Sequence, residues 1–244
     1  MDTSGIVETS FRVLARARRA RAFHPRGVEL TGRLQLSATG SPTVSALGTG
    51  TWAVVARASK GVGTPDGWPD VRGLALGIEH ETGRVDLLLT TVDDLLGVVL
   101  APTRRWTARP YATLTPYRAG GQWVFLRLRV DDRRRPGAGD LTGLADAVAA
   151  APVTASLQER TWAGRWRTVG RLTLETTAPG SRTVFDPVAH QHPRLRHPDL
   201  LGIVRAHAYR GSRQGRGAPR QDVSIRMEPR APGTHLARGA SSSG

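Results

Sequence analysis

No cysteine occurs among the 244 residues, lysine occurs once, and aromatic residues make up only 5% of the chain. Without a thiol there is no disulfide, no thiolate nucleophile and no cysteine-type zinc site, so any metal must be held by His, carboxylate or Tyr. No apolar run approaches the ~18 residues that would cross a bilayer. The first residues, MDTSGIVETSFRVL, lack the ordered basic, apolar and small-residue regions of a signal peptide, and a cytoplasmic protein is expected. Lys60 is the single lysine among 35 Lys and Arg, so the formal charge of +15 is carried by arginine. A charge of this size points to nucleic acid or an anionic surface as partner. The arginines fall in dispersed clusters (Arg12 to Arg21, Arg104 to Arg105, Arg133 to Arg135, Arg205 to Arg220) rather than in repeats interleaved with stacking aromatics. With the wealth of Ala, Gly, Pro, Val and Leu, this suggests a GC-rich coding sequence, and non-specific nucleic acid adhesion is expected without being the function.

Hydrophobic patterning divides the chain. Residues 6 to 22, IVETSFRVLARARRARA, have helical composition, with Val7, Phe11, Leu14 and Ala15 able to share a face. From residue 27 the segments GVELTGRLQLS, TWAVVARAS, VRGLALGIE and GRVDLLLT alternate in part and are bounded by Gly, Pro, Asp and Ser, as antiparallel strands are. TVDDLLGVVLAP reads as a helix opened by Thr91 and Asp93 and closed before Pro102. GQWVFLRLRVD puts Val124, Leu126, Leu128 and Val130 on one apolar face, expected to meet the core. VTASLQERTW and RWRTVGRLTLE continue the strands, DLTGLADAVAAAP is a short helix, and HPDLLGIVRAHAYRGSR is a helix entered through Asp199. The fold expected is α+β, mainly β, with seven or eight antiparallel strands forming a barrel or a sandwich; a barrel removes the edge-strand liability. One domain over 1–215 and a basic, disordered tail over 216–244 complete the outline.

A few residues stand out chemically. His24, in RARAFHPRGVELTG, precedes the first strand, where HPRG also reads as a plain turn. Arg57 lies among apolar neighbours in VVARAS; if it turned into a barrel it would require a carboxylate, a carbonyl or a ligand's anion. Arg205 and Tyr209 lie four residues apart on a predicted helix and share a face. The pair reads either as a tyrosine packed under a stacked arginine or as a phenolate stabilised by the cation. HQHPRLRH offers His190, His192 and His197 as a lesser metal-binding alternative.

In order along the chain these segments resemble the catalase superfamily. RAFHPRGVELTG resembles the segment that bears the distal histidine, with Arg21 three residues ahead of His24. VVARAS is similar to the next strand, and PDVRGLALGIEHETGRVDLLLTT to the strand pair that follows, including Arg72, Gly73 and Asp86. IVRAHAYRGSR resembles the proximal helix. The middle segments YATLTPYRAGGQWVFLRLR, PVTASLQERTWAGRWRTVGRLTLE and FDPVAHQHPRLRHPDLLGIVRAHAYRGSR narrow the likeness to the short bacterial catalase-like, catalase-related peroxidase proteins. It spans about residues 12 to 215.

The resemblance implies an eight-stranded barrel enclosing haem b, with Tyr209 as the iron ligand and Arg205 its stabilising partner. It implies His24, Ser59 and Thr90 as catalytic residues, and Arg21, Arg57 and Phe23 with Arg205 as cofactor-binding ones. Thr90 stands where the family has an asparagine, Ala58 where it has a phenylalanine, and TVDDLLGVV where it has a Thr-Pro and aromatic residues. A hydroxyl offers a different donor geometry from an amide, so a peroxidase acting on hydrogen peroxide or organic hydroperoxides is expected more than a fast catalase. Phe23, Leu89, Leu95 and Val98 would set the size of the distal pocket. A homodimer is compatible with this reading. The contrasting class is non-enzymatic: a relic of the fold, or a basic nucleic-acid-binding protein acting through its arginine surface and tail.

Overall fold

The structure, a computed structural model, describes residues 27–38, 40–95, 97, 99–133, 139–177 and 183–197. The described residues form ten strands and two helices. The strands are β1 (Gly27–Leu36), β2 (Gly50–Lys60), β3 (Arg72–His80), β4 (Gly83–Thr91), β5 (Tyr111–Ala112), β6 (Tyr117–Ala119), β7 (Gln122–Val130), β8 (Val153–Thr161), β9 (Arg167–Thr177) and β10 (Leu195–Arg196). The helices are α1 (Pro42–Leu47) and α2 (Leu141–Ala150). Eight strands close an antiparallel ring in the order β1-β2-β3-β4-β5-β7-β8-β9 and back to β1, while β6 and then β10 extend from β7. The barrel and its strand segments follow the expectation. The closure satisfies the backbone donors and acceptors that an open sheet would leave on two edges.

Alternation fills the interior. Leu30, Ala56, Leu76 and Leu87 stand opposite one another on β1 to β4, each almost wholly excluded from solvent. Val124, Leu126 and Leu128 do the same from β7, as the apolar face of that strand predicted. The interior is thus a packed layer of branched side chains, the usual solution for a barrel of this strand number. Close approach of β9 to β1 depends on Gly32, at an irregularity in the pairing: a Cβ there would fall 1.9 Å from the Thr173 carbonyl oxygen.

Each end is closed differently. α1, capped by Ser41 Oγ accepting from Val44 N at 3.0 Å and led by Pro42, packs against β6, β7 and β10. This helix is not among the expected elements, yet Ser-Pro before an apolar run and Gly48 after it supply an ordinary start and stop signal for it. α2 is expected and found; Asp140 caps it, and Leu144, Ala147 and Val148 are buried, the helix packing on β1 and β9. Near that end Arg72, fully buried, turns in. It donates to the carbonyl oxygens of Thr103, Arg104 and Gly139, and its guanidinium lies 4.4 Å from the Trp106 ring centre.

One predicted helix is corrected. Over 91–102 the chain continues β4 and returns on itself: Val92 bridges Leu100, Asp93 N donates to Val99 O, and Ala101 N to Thr91 O. The Asp93 carboxylate accepts from Leu95 N and Val99 N, holding a turn rather than capping a helix, and Gly97 takes a positive φ of 67°. The predicted helices over 6–22 and after Asp199, and the tail over 216–244, lie outside the described residues.

Candidate functional site on the outer face of β2, β3 and β4

Strand parity puts Arg57 and Ser59 on the outer side of β2, because Trp52, Val54, Ala56 and Ala58 occupy the inner side. Thr90 is likewise outward on β4, between inward Leu89 and buried Thr91. The idea of Arg57 turning into the barrel is corrected: the arginine that turns in is Arg72, and its acceptors are carbonyls rather than a carboxylate. Burial lowers the Arg72 pKa from the usual arginine value, while Tyr111 and nearby carboxylates oppose the shift.

The register brings the three residues together. Ser59 stands opposite Gly73 and Gly73 opposite Thr90, so a bare glycine separates two hydroxyl-bearing positions on one surface row. In the adjacent row Arg57 stands opposite Ala75, and Ala75 opposite Leu88. The outward positions of β3 are therefore Gly73, Ala75 and Gly77; Gly77 is buried beneath the Arg84 guanidinium, and Gly73 with Ala75 form a shallow trough flanked by Arg57 and Ser59 on β2 and by Leu88 and Thr90 on β4. A Cβ at Gly73 would sit 3.2 Å from Ser59 Oγ, and one at Gly27 would sit 2.7 Å from Arg57 Nε. Gly27 belongs to β1, so the Arg57 guanidinium is drawn to the β1 side of β2, and the trough owes its floor to Gly73 and the small Ala75.

Thr90 Oγ1 donates to the Arg72 carbonyl at 3.3 Å, and the Arg72 N–H donates to Thr91 Oγ1 at 3.0 Å. The start of β3 is thereby tied to β4 beside the row of hydroxyls. Of the four side chains expected to set the pocket size, Leu89 is corrected: it faces the packed interior, and Leu88 is the outward neighbour. Leu95 is 85% exposed on the loop after β4. Phe23 and Val98 lie outside the described residues, as do Arg21, His24, Arg205 and Tyr209.

A strap crosses the far side of this face. Thr183 donates through its N–H and its hydroxyl to the Glu29 carboxylate on β1, and Asp186 N donates to Asp86 Oδ2 on β4 at 2.7 Å. Asp86 is buried and also accepts from Arg84 Nε at 2.7 Å and lies 2.8 Å from His190 Nδ1. Arg84 lies over Gly77, where a Cβ would come within 2.5 Å of its guanidinium, with the Phe185 ring centre 5.0 Å away. The sequence singled out Asp86 only through the resemblance; no local signal tied it to residues a hundred positions later.

The three histidines of HQHPRLRH do not converge. His190 meets Asp86, His197 Nε2 lies 2.8 Å from Thr115 Oγ1, and buried His192 packs edge-on to His80 with ring centres 4.8 Å apart. Burial lowers the His192 pKa, with His80 and Arg194 adding to the shift. Among the described residues no group of three or more His, Cys, Asp or Glu is placed to hold a metal. No helix among them is long and apolar enough to cross a membrane.

A scan of this chain against known protein families finds no match, and no curated protein matches it.

Proposed function

We propose that the protein is a haem-dependent, catalase-like peroxidase that acts on hydrogen peroxide or organic hydroperoxides. The observation that carries this reading is the trough: Arg57, Ser59 and Thr90, distant in sequence, flank a strip of Gly73 and Ala75 on one outer face. A flat, side-chain-poor strip beside one cation and two hydroxyls fits a planar group that carries carboxylates. The interior is filled by branched side chains, so the reading that the barrel encloses haem gives way to one in which the group would sit against the outer face of β2–β4.

In this reading Tyr209 would hold the iron and Arg205 would support its phenolate, while Arg21 and Arg57 would meet the propionates and Phe23 would pack against the ring. Iron bound through an anionic oxygen ligand supplies two-electron peroxide chemistry. The chain's own residues manage the proton. His24 takes it from one peroxide oxygen and returns it to the departing one, which suits an imidazole titrating near ~6.5. Ser59 orients that imidazole. Thr90 limits the rate, because its hydroxyl hydrogen is directed to the Arg72 carbonyl, leaving lone pairs toward a bound peroxide where an asparagine would offer an N–H.

The test is an absorption spectrum of protein expressed with excess haem, alongside Tyr209→Phe, followed by peroxide kinetics. A high-spin ferric Soret band that is lost or shifted in the variant is expected. In the loaded protein Thr90→Asn should raise catalatic turnover by at least about tenfold, the scale of one well-placed hydrogen bond to a reacting group. A folded protein that stays colourless in excess haem would overturn the proposal.

A further inference from the structure

On the opposite side of the ring, β6, β7 and β8 carry a different surface. The β7 strand sends Trp123, Phe125, Arg127 and Arg129 outward, and the register sets Arg118 of β6 opposite Trp123 and Arg160 of β8 opposite Phe125. The β8–β9 turn adds Trp162 and Trp166. These side chains interleave. Arg118 lies 5.9 Å from the Trp123 ring centre, Arg160 5.5 Å from Phe125 and 4.8 Å from Trp166, and Arg127 4.2 Å from Trp166. Trp162 leans on Phe125 at 5.8 Å yet is 62% exposed, and Trp123 is 41% exposed. The sequence shows these arginines and aromatics as dispersed; pairing of the strands brings them into alternation.

The cations on this face stand apart from direct ion pairs, with Asp93 acting on Arg127 and Arg160 only at longer range. None of the ion pairs among the described residues involves Arg118, Arg127 or Arg160. The Arg127 Nε–H goes to the neutral Gln158 at 2.7 Å, and the buried Arg160 Nε and Trp166 Nε1 have no acceptor. Burial together with Arg129 and Arg160 pulls the Arg127 pKa down to about 10. At the Arg118 end the face runs into a cleft of about 320 Å³ lined by Arg118, Arg194, Arg196, Ser45, Gly120 and Gly121, with no carboxylate in its walls.

We infer that the outer face of β6–β7–β8 is a binding surface for single-stranded nucleic acid, with bases stacking on Trp123 and Trp162 and phosphates meeting Arg118, Arg160 and the adjoining cleft. Exposed rings offer any base a π-face, and guanidiniums outside direct ion pairs meet the backbone charge, the two elements from which sequence-tolerant single-strand binding is built. An acidic peptide would use the guanidiniums but has no requirement for two exposed indoles. A duplex would present its phosphates while keeping its base faces stacked. The net charge of +15 favours the encounter.

The experiment is fluorescence anisotropy of a labelled oligo(dT) 12-mer with the full chain, repeated with the corresponding duplex and with poly-glutamate. Trp123→Ala/Trp162→Ala, both at exposed positions, should weaken single-strand binding at least about tenfold while leaving the salt slope intact. Arg118→Gln/Arg160→Gln should flatten the slope of log affinity against log salt. Arg216→Ala/Arg220→Ala, which alters none of the residues named for this face, should change the slope little. The inference is overturned if the tryptophan variant, shown folded by its melting curve, binds as the unaltered chain does. It is also overturned if the duplex or poly-glutamate binds as tightly as the single strand, or if the 216/220 variant alone abolishes binding. Because haem uptake is read separately in absorption, failure here leaves the peroxidase proposal standing, and the reverse holds.

Discussion

The two outer faces of this barrel share one interior and differ in almost everything else. Across β2–β4 the surface is made by subtraction: Gly73 and Ala75 leave a trough edged by Ser59, Arg57 and Thr90, and the strap at 183–190 is fastened beside it by Glu29 and Asp86. Across β6–β8 it is made by addition: indoles and guanidiniums stack outward over the strands. An inward row such as Leu30, Ala56, Leu76 and Leu87 fixes strand spacing and twist for both. The outward row is then free to follow function, because alternate residues answer to different environments. One face suits a flat ligand and the other a chain of stacked ones.

The comparison breaks most forcefully at Asp86. Its buried carboxylate serves Arg84, His190 and the Asp186 N–H together. Asp86→Ala should therefore cost about 4 kcal/mol in denaturant unfolding, the usual scale when one member of a buried, hydrogen-bonded ion pair is removed. The loss should appear first as exchange of the Asp186 amide, while the β6–β8 face keeps its Trp fluorescence. A loss below about 1 kcal/mol would mean that the strap is held by other contacts.

A gentler probe separates the faces more sharply. Gly73→Val fills the trough between Ser59 and Thr90, yet it lies outside the packed interior, so stability should fall by about 1 kcal/mol. Haem retention, measured by absorption after desalting, should be abolished, and oligonucleotide binding should be unchanged. Haem retention equal to that of the unaltered chain would detach the trough from the proposed site.

The smallest effect concerns His192. Burial beside His80 and Arg194 holds its pKa below the ordinary value, so below ~6.5 the unfolded chain binds a proton that the folded one resists. Its contribution to stability is complete above that value and is lost as pH falls toward the lowered folded pKa. His192→Asn should flatten this part of the stability profile, measured by urea unfolding between pH 7 and pH 5. An unaltered slope would assign the dependence to another group.

Much of the fold is legible in the residues. Period-two alternation bounded by Gly, Pro and Asp marks β1 to β4 and β7 to β9 within a residue or two, and Asp140 followed by LTGLADAVAA marks α2. The segment 91–102 misleads because LLGVVL has helical composition, while Asp93 spends its carboxylate on a turn and Val92 pairs with Leu100. Short strands such as β5, β6 and β10 carry no period to detect; they exist because β4 and β7, and for β10 the strand β6, offer open ladder positions. For the site, Ser59 and Thr90 are indicated by resemblance alone, while Arg57 also stands out locally as a charge among apolar neighbours. Their common outer face follows only from which alternate residues fill the barrel.

The sequence by itself determined that strands predominate, that VVARAS and GRVDLLLT each have one apolar face, that no thiol chemistry is available, and that the charge resides on arginine. These are local or additive properties, set by composition and periodicity. Tertiary structure alone decided which strands meet, and hence that Gly73 lies between Ser59 and Thr90, that Arg72 turns inward onto carbonyls, and that Arg160 lies against Phe125 and Trp166. Pairing across the ring joins residues far apart along the chain, and no local propensity encodes that register; closing the barrel around a filled interior does.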